Sequence, residues 1–133
     1  MATRSTIARM NDDGTITSIY CHWDGYPEYV GKLLEEHYSS PERLDALLEL
    51  GDLSVLAPEI GEQHEFGNTK GWCVAYGRDR GEFGTDARTH DGPMTWTMSR
   101  RRSGCEYGYL FKDGVWQTFE FGYGFGGAHI NVR

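Results

Sequence analysis

The chain has 133 residues and a mass of 15.1 kDa, a size that predicts a single domain over residues 1–133. Its formal net charge of −7 argues against stable binding to duplex DNA, because the phosphate backbone selects proteins with a basic surface. The apolar runs are far shorter than the ~20 residues that span a bilayer, and residues 1–10 contain no apolar signal-peptide core. We therefore expect a cytoplasmic protein without membrane contact.

The first half of the chain predicts a hairpin followed by helices. Residues 3–23 predict a β-hairpin because two β-compatible runs flank an Asp-Gly turn. Residues 27–50 predict a helical pair, since Pro27 suits a first helical position and apolar residues recur at helical spacing. Ser40 suits the N-cap of the second helix, which we expect to end at Gly51. Both helices should pack on one face of a sheet.

The second half predicts further strands. Residues 72–93 are expected to form a strand (WCVAY, 72–76) and then a loop, and residues 94–102 are compatible with either a strand or a helix. Residues 105–121 predict a second hairpin, and the Gly-rich tail 122–133 predicts no regular strand. The predicted fold class is α+β, with an antiparallel sheet of two or more hairpins and two short helices packed on one face.

Charge is unevenly distributed along the chain. Residues 28–65 carry ten acidic and two basic side chains, whereas residues 70–102 carry seven basic and four acidic ones. Ten of the thirteen basic residues are arginine, whose guanidinium group suits bidentate contacts with phosphate or carboxylate. The pattern fits a solvated acidic helical surface beside a basic region, and it also fits complementary patches that join the subunits of a homo-oligomer.

The cysteines favour buried thiols. Cys21, Cys73 and Cys105 form no CxxC pair and are odd in number, which argues against a disulfide framework. Cys21 precedes His22, but neighbours in a strand point to opposite faces, so we do not expect a Cys-His nucleophile.

Metal binding is a weaker alternative. The three cysteines with a histidine are the residue types of a zinc site, and Asp24, Asp79 and Glu82 are those of a magnesium site. Because no ligand spacing supports either site, we predict no metal ion and no cofactor.

A turn rich in aromatic residues is the first candidate for ligand binding. Trp23 and Tyr26 flank the turn that follows the first hairpin, where their rings suit stacking on a planar base. Alternatively, both rings pack onto the core beneath the turn.

A glycine-flanked segment with two arginines and two acids, GRDRGE (77–82), is the second candidate. It lacks the residues of a Walker A loop, yet guanidinium groups held by neighbouring acids are suited to binding a phosphate. Alternatively, it is a polar loop whose charges pair with one another. The predicted ligand-binding residues of both segments are Trp23, Asp24, Tyr26, Arg78, Asp79, Arg80 and Glu82.

Two further features are ambiguous. Arg100, Arg101 and Arg102 form a basic triplet that suits an anion or the acidic helices of a second subunit. Residues 122–127 (GYGFGG) predict a frayed end, or else an arm that becomes ordered on assembly.

Three stretches of sequence resemble a known family. They are MATRSTIARMNDDGTITSIYCHWDGYPEYVG, LLEEHYSSPERLDALLELGDLSVL and YGRDRGE. With these TRS-I, YCHWDGY and GRDRGE-like motifs, residues 1–85 resemble a family of small proteins carried by phages and prophages. The resemblance implies a phage protein that acts in the host-cell cytosol as a counter-defence factor.

The leading hypothesis is a non-enzymatic sponge that binds a nucleotide-type immune signal and sequesters it without turnover. The main alternative is an acidic inhibitor that binds a host defence nuclease or effector through helical carboxylates, which are Glu35, Glu36, Glu42 and Glu49. A third candidate is a metal-dependent phosphodiesterase.

Overall fold

The computed structural model describes residues 2–68 and 71–121 in full and residues 130–132 as backbone. The strands are β1 (Ser5–Met10), β2 (Ile16–Cys21), β3 (Leu53–Val55), β4 (Val74–Ala75), β5 (Arg88–His90), β6 (Tyr107–Lys112), β7 (Val115–Phe121) and β8 (Ile130–Val132). A π-helical turn (Pro27–Gly31) leads into α1 (Lys32–His37), and the other helices are α2 (Pro41–Glu49), α3 (Tyr76–Arg80) and α4 (Pro93–Arg102). None of the described helices is long and apolar enough to cross a membrane.

The α+β fold class is confirmed, with one correction to the sheet. Its strands lie in the order β4-β3-β2-β1-β6-β7-β8, and β5 pairs with β2 outside this path. The hairpins β1–β2 and β6–β7 are antiparallel, but β1 pairs with β6, and β2 with β3, in parallel. The sheet is therefore mixed, because the helical pair between β2 and β3 is a crossover connection, which brings the chain back in the same direction.

The helical pair covers one face of this sheet. Ser40 caps α2 as predicted, since its hydroxyl accepts a hydrogen bond from the Arg43 N–H at 3.2 Å, and Pro41 follows in the first turn. Tyr38 is fully buried and its hydroxyl donates to the Ala57 carbonyl at 2.7 Å. The main core therefore lies between these helices and the sheet, and its largest fully buried aliphatic members are Ile7, Ile19, Leu34, Leu44, Leu47, Leu53 and Leu56.

The opposite face is covered in part by α4, a helix that the sequence left undecided over residues 94–102. Trp96 is fully buried there, and its indole N–H donates to the Thr6 hydroxyl at 3.0 Å. Ile16 and Leu110 pack against the same ring. Helices thus cover both faces, rather than one as predicted, because a single large aromatic side chain is enough to anchor α4.

The segment 72–93 differs most from its prediction. The strand expected over 72–76 is limited to β4, and the expected loop contains both α3 and β5. Helix α3 forms because the Asp79 carboxylate accepts the Ala75 N–H at 2.8 Å and Gly81 ends the helix in a left-handed conformation. Because both interactions are polar or conformational, residues 76–80 show no helical spacing of apolar residues by which the sequence would predict this helix. The prediction for residues 122–127 lies outside the described residues, whereas β8 pairs with β7 where no strand was expected.

One carboxylate joins the central strands to the segments around them. Asp52 lies just before β3, and its carboxylate accepts the Tyr20 N–H at 2.9 Å and two Arg88 guanidinium bonds at 2.8 and 2.6 Å. Its own N–H donates to the Thr85 carbonyl at 2.7 Å, and its carbonyl accepts the Tyr76 N–H at 3.2 Å. Asp52 therefore fixes β2, β5 and the start of α3 relative to one another.

We expect Asp52→Asn to lower the free energy of unfolding by about 2–4 kcal/mol, because the amide leaves the half-buried Arg88 charge uncompensated. The matched control is Asp45→Asn, which removes a carboxylate from the more exposed ion pair with Arg9 and should cost at most about 1 kcal/mol. Urea unfolding measures both values, and equal losses for the two variants would refute the central role of Asp52.

Candidate functional site

The face that carries α4 also carries a row of polar aromatic side chains at the end of β2. Ile19 and Cys21 belong to the core beneath the helical pair, so Tyr20 and His22 point to the other face. The Tyr20 hydroxyl and His22 Nδ1 are 2.6 Å apart, and the His22 ring contacts Trp23 edge to face at 4.8 Å. Trp23 keeps 42% of its surface exposed, so its ring remains accessible to a ligand.

Strand β3 connects Trp23 to a second aromatic group. The Trp23 N–H donates to the Ser54 carbonyl at 3.1 Å, and the Ser54 side chain hydrogen-bonds with the Tyr76 hydroxyl. The ring of Phe66 lies 5.6 Å from that of Tyr76, and the Arg80 guanidinium lies over both rings, 4.6 and 5.2 Å from their centroids. We call Trp23, Phe66, Tyr76 and Arg80 the aromatic–arginine surface.

Arg80 is the predicted phosphate ligand that remains available. Its side chain is 52% exposed and forms an ion pair with Glu82. Within the described parts of the chain, its guanidinium donates to no other hydrogen-bond acceptor. Because aromatic rings hold the guanidinium plane, its free N–H donors are positioned without the loss of side-chain freedom that binding otherwise requires.

The Arg78 guanidinium, in contrast, donates its hydrogen bonds to groups inside the protein. Its guanidinium donates to Asp79 at 3.0 Å, to the Ile60 carbonyl at 2.9 Å and to the Cys73 carbonyl at 2.8 Å. The Asp79 side chain is inaccessible to solvent and also accepts the His64 N–H at 3.2 Å. Burial alone would raise the pKa of Asp79, but its hydrogen bonds outweigh that effect and hold the pKa below the ordinary value. Arg78 and Asp79 therefore position Arg80 and hold the preceding loop.

The other two predicted residues form a pair of their own. Asp24 adopts a left-handed conformation with φ of 56°, and the Tyr26 hydroxyl donates to its carboxylate at 3.4 Å. The Asp24 charge raises the pKa of Tyr26. Among the described residues no contact joins this pair to Arg80. The structure pairs Arg80 with Glu82 and links Trp23 to them indirectly, through Ser54 and Tyr76, but it does not bring the whole predicted set together.

The cysteines are unsuited to nucleophilic chemistry. All three are free and buried, and burial raises the pKa of Cys21 to about 12 and that of Cys105 to about 11. Each thiol is therefore protonated at neutral pH. In the described ranges, no three His, Cys, Asp or Glu side chains are grouped so that they could hold a metal ion.

Two clefts lie at the opposite end of the first hairpin. One of about 480 Å³ lies between that hairpin and α2, and one of about 470 Å³ lies between the two hairpin turns. Arg9 lines both clefts, but its guanidinium is paired with Asp45. Neither cleft contains a predicted site residue, so the aromatic–arginine surface remains the better candidate.

Sequence reasoning missed Phe66, Tyr76 and Ser54. The sequence predicts a strand at Tyr76, and neither Tyr76 nor Phe66 shows a local pattern that indicates a ligand site. The only local signal was the proximity of Tyr76 to the GRDRGE segment, since a residue four positions before Arg80 shares its helical face.

Comparison with protein-family models, curated proteins and solved structures gives no significant match.

We expect Arg78→Ala to lower the free energy of unfolding by about 3 kcal/mol, because it leaves the buried Asp79 charge without its main partner. Arg80→Ala removes the same side chain from an exposed position two residues away and should cost about 1 kcal/mol or less. Chemical denaturation of both variants separates a structural arginine from one available to a ligand, and the reverse ranking would contradict this assignment.

A pH dependence of stability follows from His90. Its Nε2 lies 2.8 Å from the Ser18 hydroxyl, and burial, Arg100 and Arg88 lower its pKa below the ordinary value of 6.5. The unfolded chain therefore binds a proton that the folded chain does not, so the stability present above pH 6.5 should decline as the pH falls to 5. His90→Gln should show a smaller decline in urea titrations across this range. An unchanged decline would exclude His90 as its source.

Proposed function

We propose that the chain is a phage-encoded counter-defence protein that binds a nucleotide-type immune signal and sequesters it without turnover, as a homo-oligomer in the host cytosol. Trp23 and the Tyr76–Phe66 pair would stack the base, and Arg80 would bind a phosphate. Glu82 would orient Arg80, as the ion pair between them does now.

The observation that supports this proposal is the link from Trp23 to Arg80 through Ser54 of β3. Trp23, which follows β2, donates to the Ser54 carbonyl, and the Ser54 side chain hydrogen-bonds with Tyr76. The Arg80 guanidinium of α3 lies over the Tyr76 ring. Stacking on an aromatic ring suits any base, because every base has a π-face. A guanidinium fixed over aromatic rings suits phosphate, since its donors form charge-assisted hydrogen bonds in a defined plane. The two groups together match the two halves of a nucleotide.

Binding without turnover is the simpler mechanism for these side chains. A thiol nucleophile is disfavoured because burial keeps Cys21 and Cys105 protonated at neutral pH. His22 is held by the Tyr20 hydroxyl, and burial and Arg4 lower its pKa, so it is a neutral group at neutral pH. Sequestration requires only that the complex dissociates slowly, whereas hydrolysis requires an activated water.

The acidic helical layer supports a second candidate function, an inhibitor that binds a basic host protein. The carboxylates of α1 and α2 that are exposed and form no ion pair with the described residues are Glu35, Glu36, Glu42 and Glu49. They lie on the layer opposite α4, so a partner bound there would leave the aromatic–arginine surface free.

The proposal is tested by native mass spectrometry of the full chain with cyclic dinucleotides, cyclic trinucleotides and ADP-ribose derivatives. We expect one of these to add its intact mass to the protein and to be recovered unchanged after denaturation. Trp23→Ala and Arg80→Ala should each weaken that binding by about 10- to 100-fold, the range of a lost stacking or charged hydrogen-bond interaction.

Arg9→Ala is the matched control, because Arg9 also belongs to an exposed arginine–carboxylate pair but lies at the other end of the hairpin. Its affinity should equal that of the unmodified chain. Recovery of a cleaved ligand would show that the protein is an enzyme and would overturn binding without turnover. Absence of any complex, together with loss of protein inhibition on charge reversal at Glu35 or Glu42, would favour the acidic inhibitor.

A further inference from the structure

A second group of arginines lies on the α4 face, outside the aromatic–arginine surface. The N–H of Cys105 donates to the Arg100 carbonyl at 3.0 Å, and the N–H of Glu106 donates to the Arg4 carbonyl at 2.8 Å. Arg4 and Arg100 are therefore brought to either side of Cys105 by main-chain bonds. Arg88 lies on β5, which packs against α4, so all three arginines surround one short segment.

The three arginines carry more positive charge than their one carboxylate partner, Asp52, can neutralise. Asp52 is engaged by both terminal nitrogens of Arg88 and by the Tyr20 N–H. Elsewhere in the described chain, no carboxylate forms an ion pair with Arg4 or Arg100. The cluster of Arg4, Arg88, Arg100 and Asp52 therefore carries a net charge of about +2 at neutral pH.

Arg100 is the least satisfied member of this cluster. One of its terminal nitrogens donates to the Ser99 hydroxyl at 3.1 Å, but its Nε is shielded from solvent and has no hydrogen-bond partner. Burial and the Arg88 charge lower its pKa, because both destabilise the protonated guanidinium at this position. A half-buried donor of this kind is costly unless an acceptor approaches it.

The backbone at Gly104 leaves room for the cluster. Gly104 has a φ of 95°, and a Cβ at this position would lie 2.9 Å from Arg4 Nη1. Any larger residue would displace the guanidinium from its place beside Cys105. Neutral polar side chains also lie on this face near the arginines, and they are Ser18, Tyr20, His22 and His90.

We infer that Arg4, Arg88 and Arg100 form a binding site for a phosphate or pyrophosphate group. The anion would accept from the remaining terminal N–H donors of Arg100 and from those of Arg4, while Arg88 supplies charge from its fixed position on Asp52. In a second step, which rests on the proposed function, this group belongs to the same nucleotide that stacks on the aromatic–arginine surface, because both lie on one face of the sheet. That ligand then carries at least two phosphates.

Calorimetric titration of the full chain with inorganic pyrophosphate at low ionic strength tests the site. We expect binding that weakens at least tenfold in Arg100→Gln, since a charged hydrogen bond is lost. Arg102→Gln is the matched control: it removes one arginine from the same helical turn, at an exposed position, and should leave the affinity unchanged. Without anion, Arg100→Gln should raise the thermal midpoint, because it removes an unpaired cation beside Arg88, and this rise is not expected of a merely structural arginine.

No pyrophosphate binding by the unmodified chain, or equal weakening by the two substitutions, would overturn the site. The nucleotide panel separates this inference from the proposed function. Pyrophosphate binding without any nucleotide complex would retain the anion site and reject the proposed function. Nucleotide binding that depends on Arg80 but not on Arg100 would retain the proposed function and reject a shared ligand.

Discussion

The ion pair between Asp52 and Arg88 is the constraint on which the central sheet depends. Strand β2 needs partners along its whole free edge, yet β5 pairs with its first half and β3 with its end. Between them the Tyr20 N–H would lack a partner, and the Asp52 carboxylate supplies one. A buried backbone donor without a partner costs about as much as a lost hydrogen bond. The Asp52 side chain therefore completes the hydrogen bonding of β2 at the gap between β5 and β3.

The same ion pair links stability to the candidate site. It fixes Arg88 beside Arg100 and Cys105, and the main chain of Asp52 holds the first residue of α3, Tyr76. Arg80 lies one helical turn after Tyr76 and packs over its ring. Asp52 therefore fixes Arg88 directly and Arg80 through Tyr76, whereas main-chain bonds at Cys105 and Glu106 hold Arg100 and Arg4.

Charge is separated between the two faces of the sheet. The helical pair exposes carboxylates, whereas the α4 face presents arginines held by aromatic rings, by Asp52 and by main-chain carbonyls. A negative net charge of −7 is compatible with an anion site only if the basic groups are local and the acids lie elsewhere. The sheet provides this separation, because successive side chains of a strand point to opposite faces.

The sequence alone determined the elements with a strong local signal. The Asp-Gly turn and the Ser40 N-cap predict their elements because neighbouring residues make the contacts that stabilise them. The buried thiols and the α+β class follow in the same way. Trp23 and Arg80 were recognised as candidates from residue type and setting, and the structure links them through Ser54 and Tyr76.

Tertiary structure alone decided how these elements are joined and which arginines are free. The parallel pairing of β1 with β6, the helical state of residues 76–80 and the second helical layer all depend on contacts between distant residues. Arg78 and Arg80 are indistinguishable in the sequence, but one meets three buried acceptors and the other meets two aromatic rings. The role of a charged side chain is set by the partners that the fold brings to it, and that information is not local.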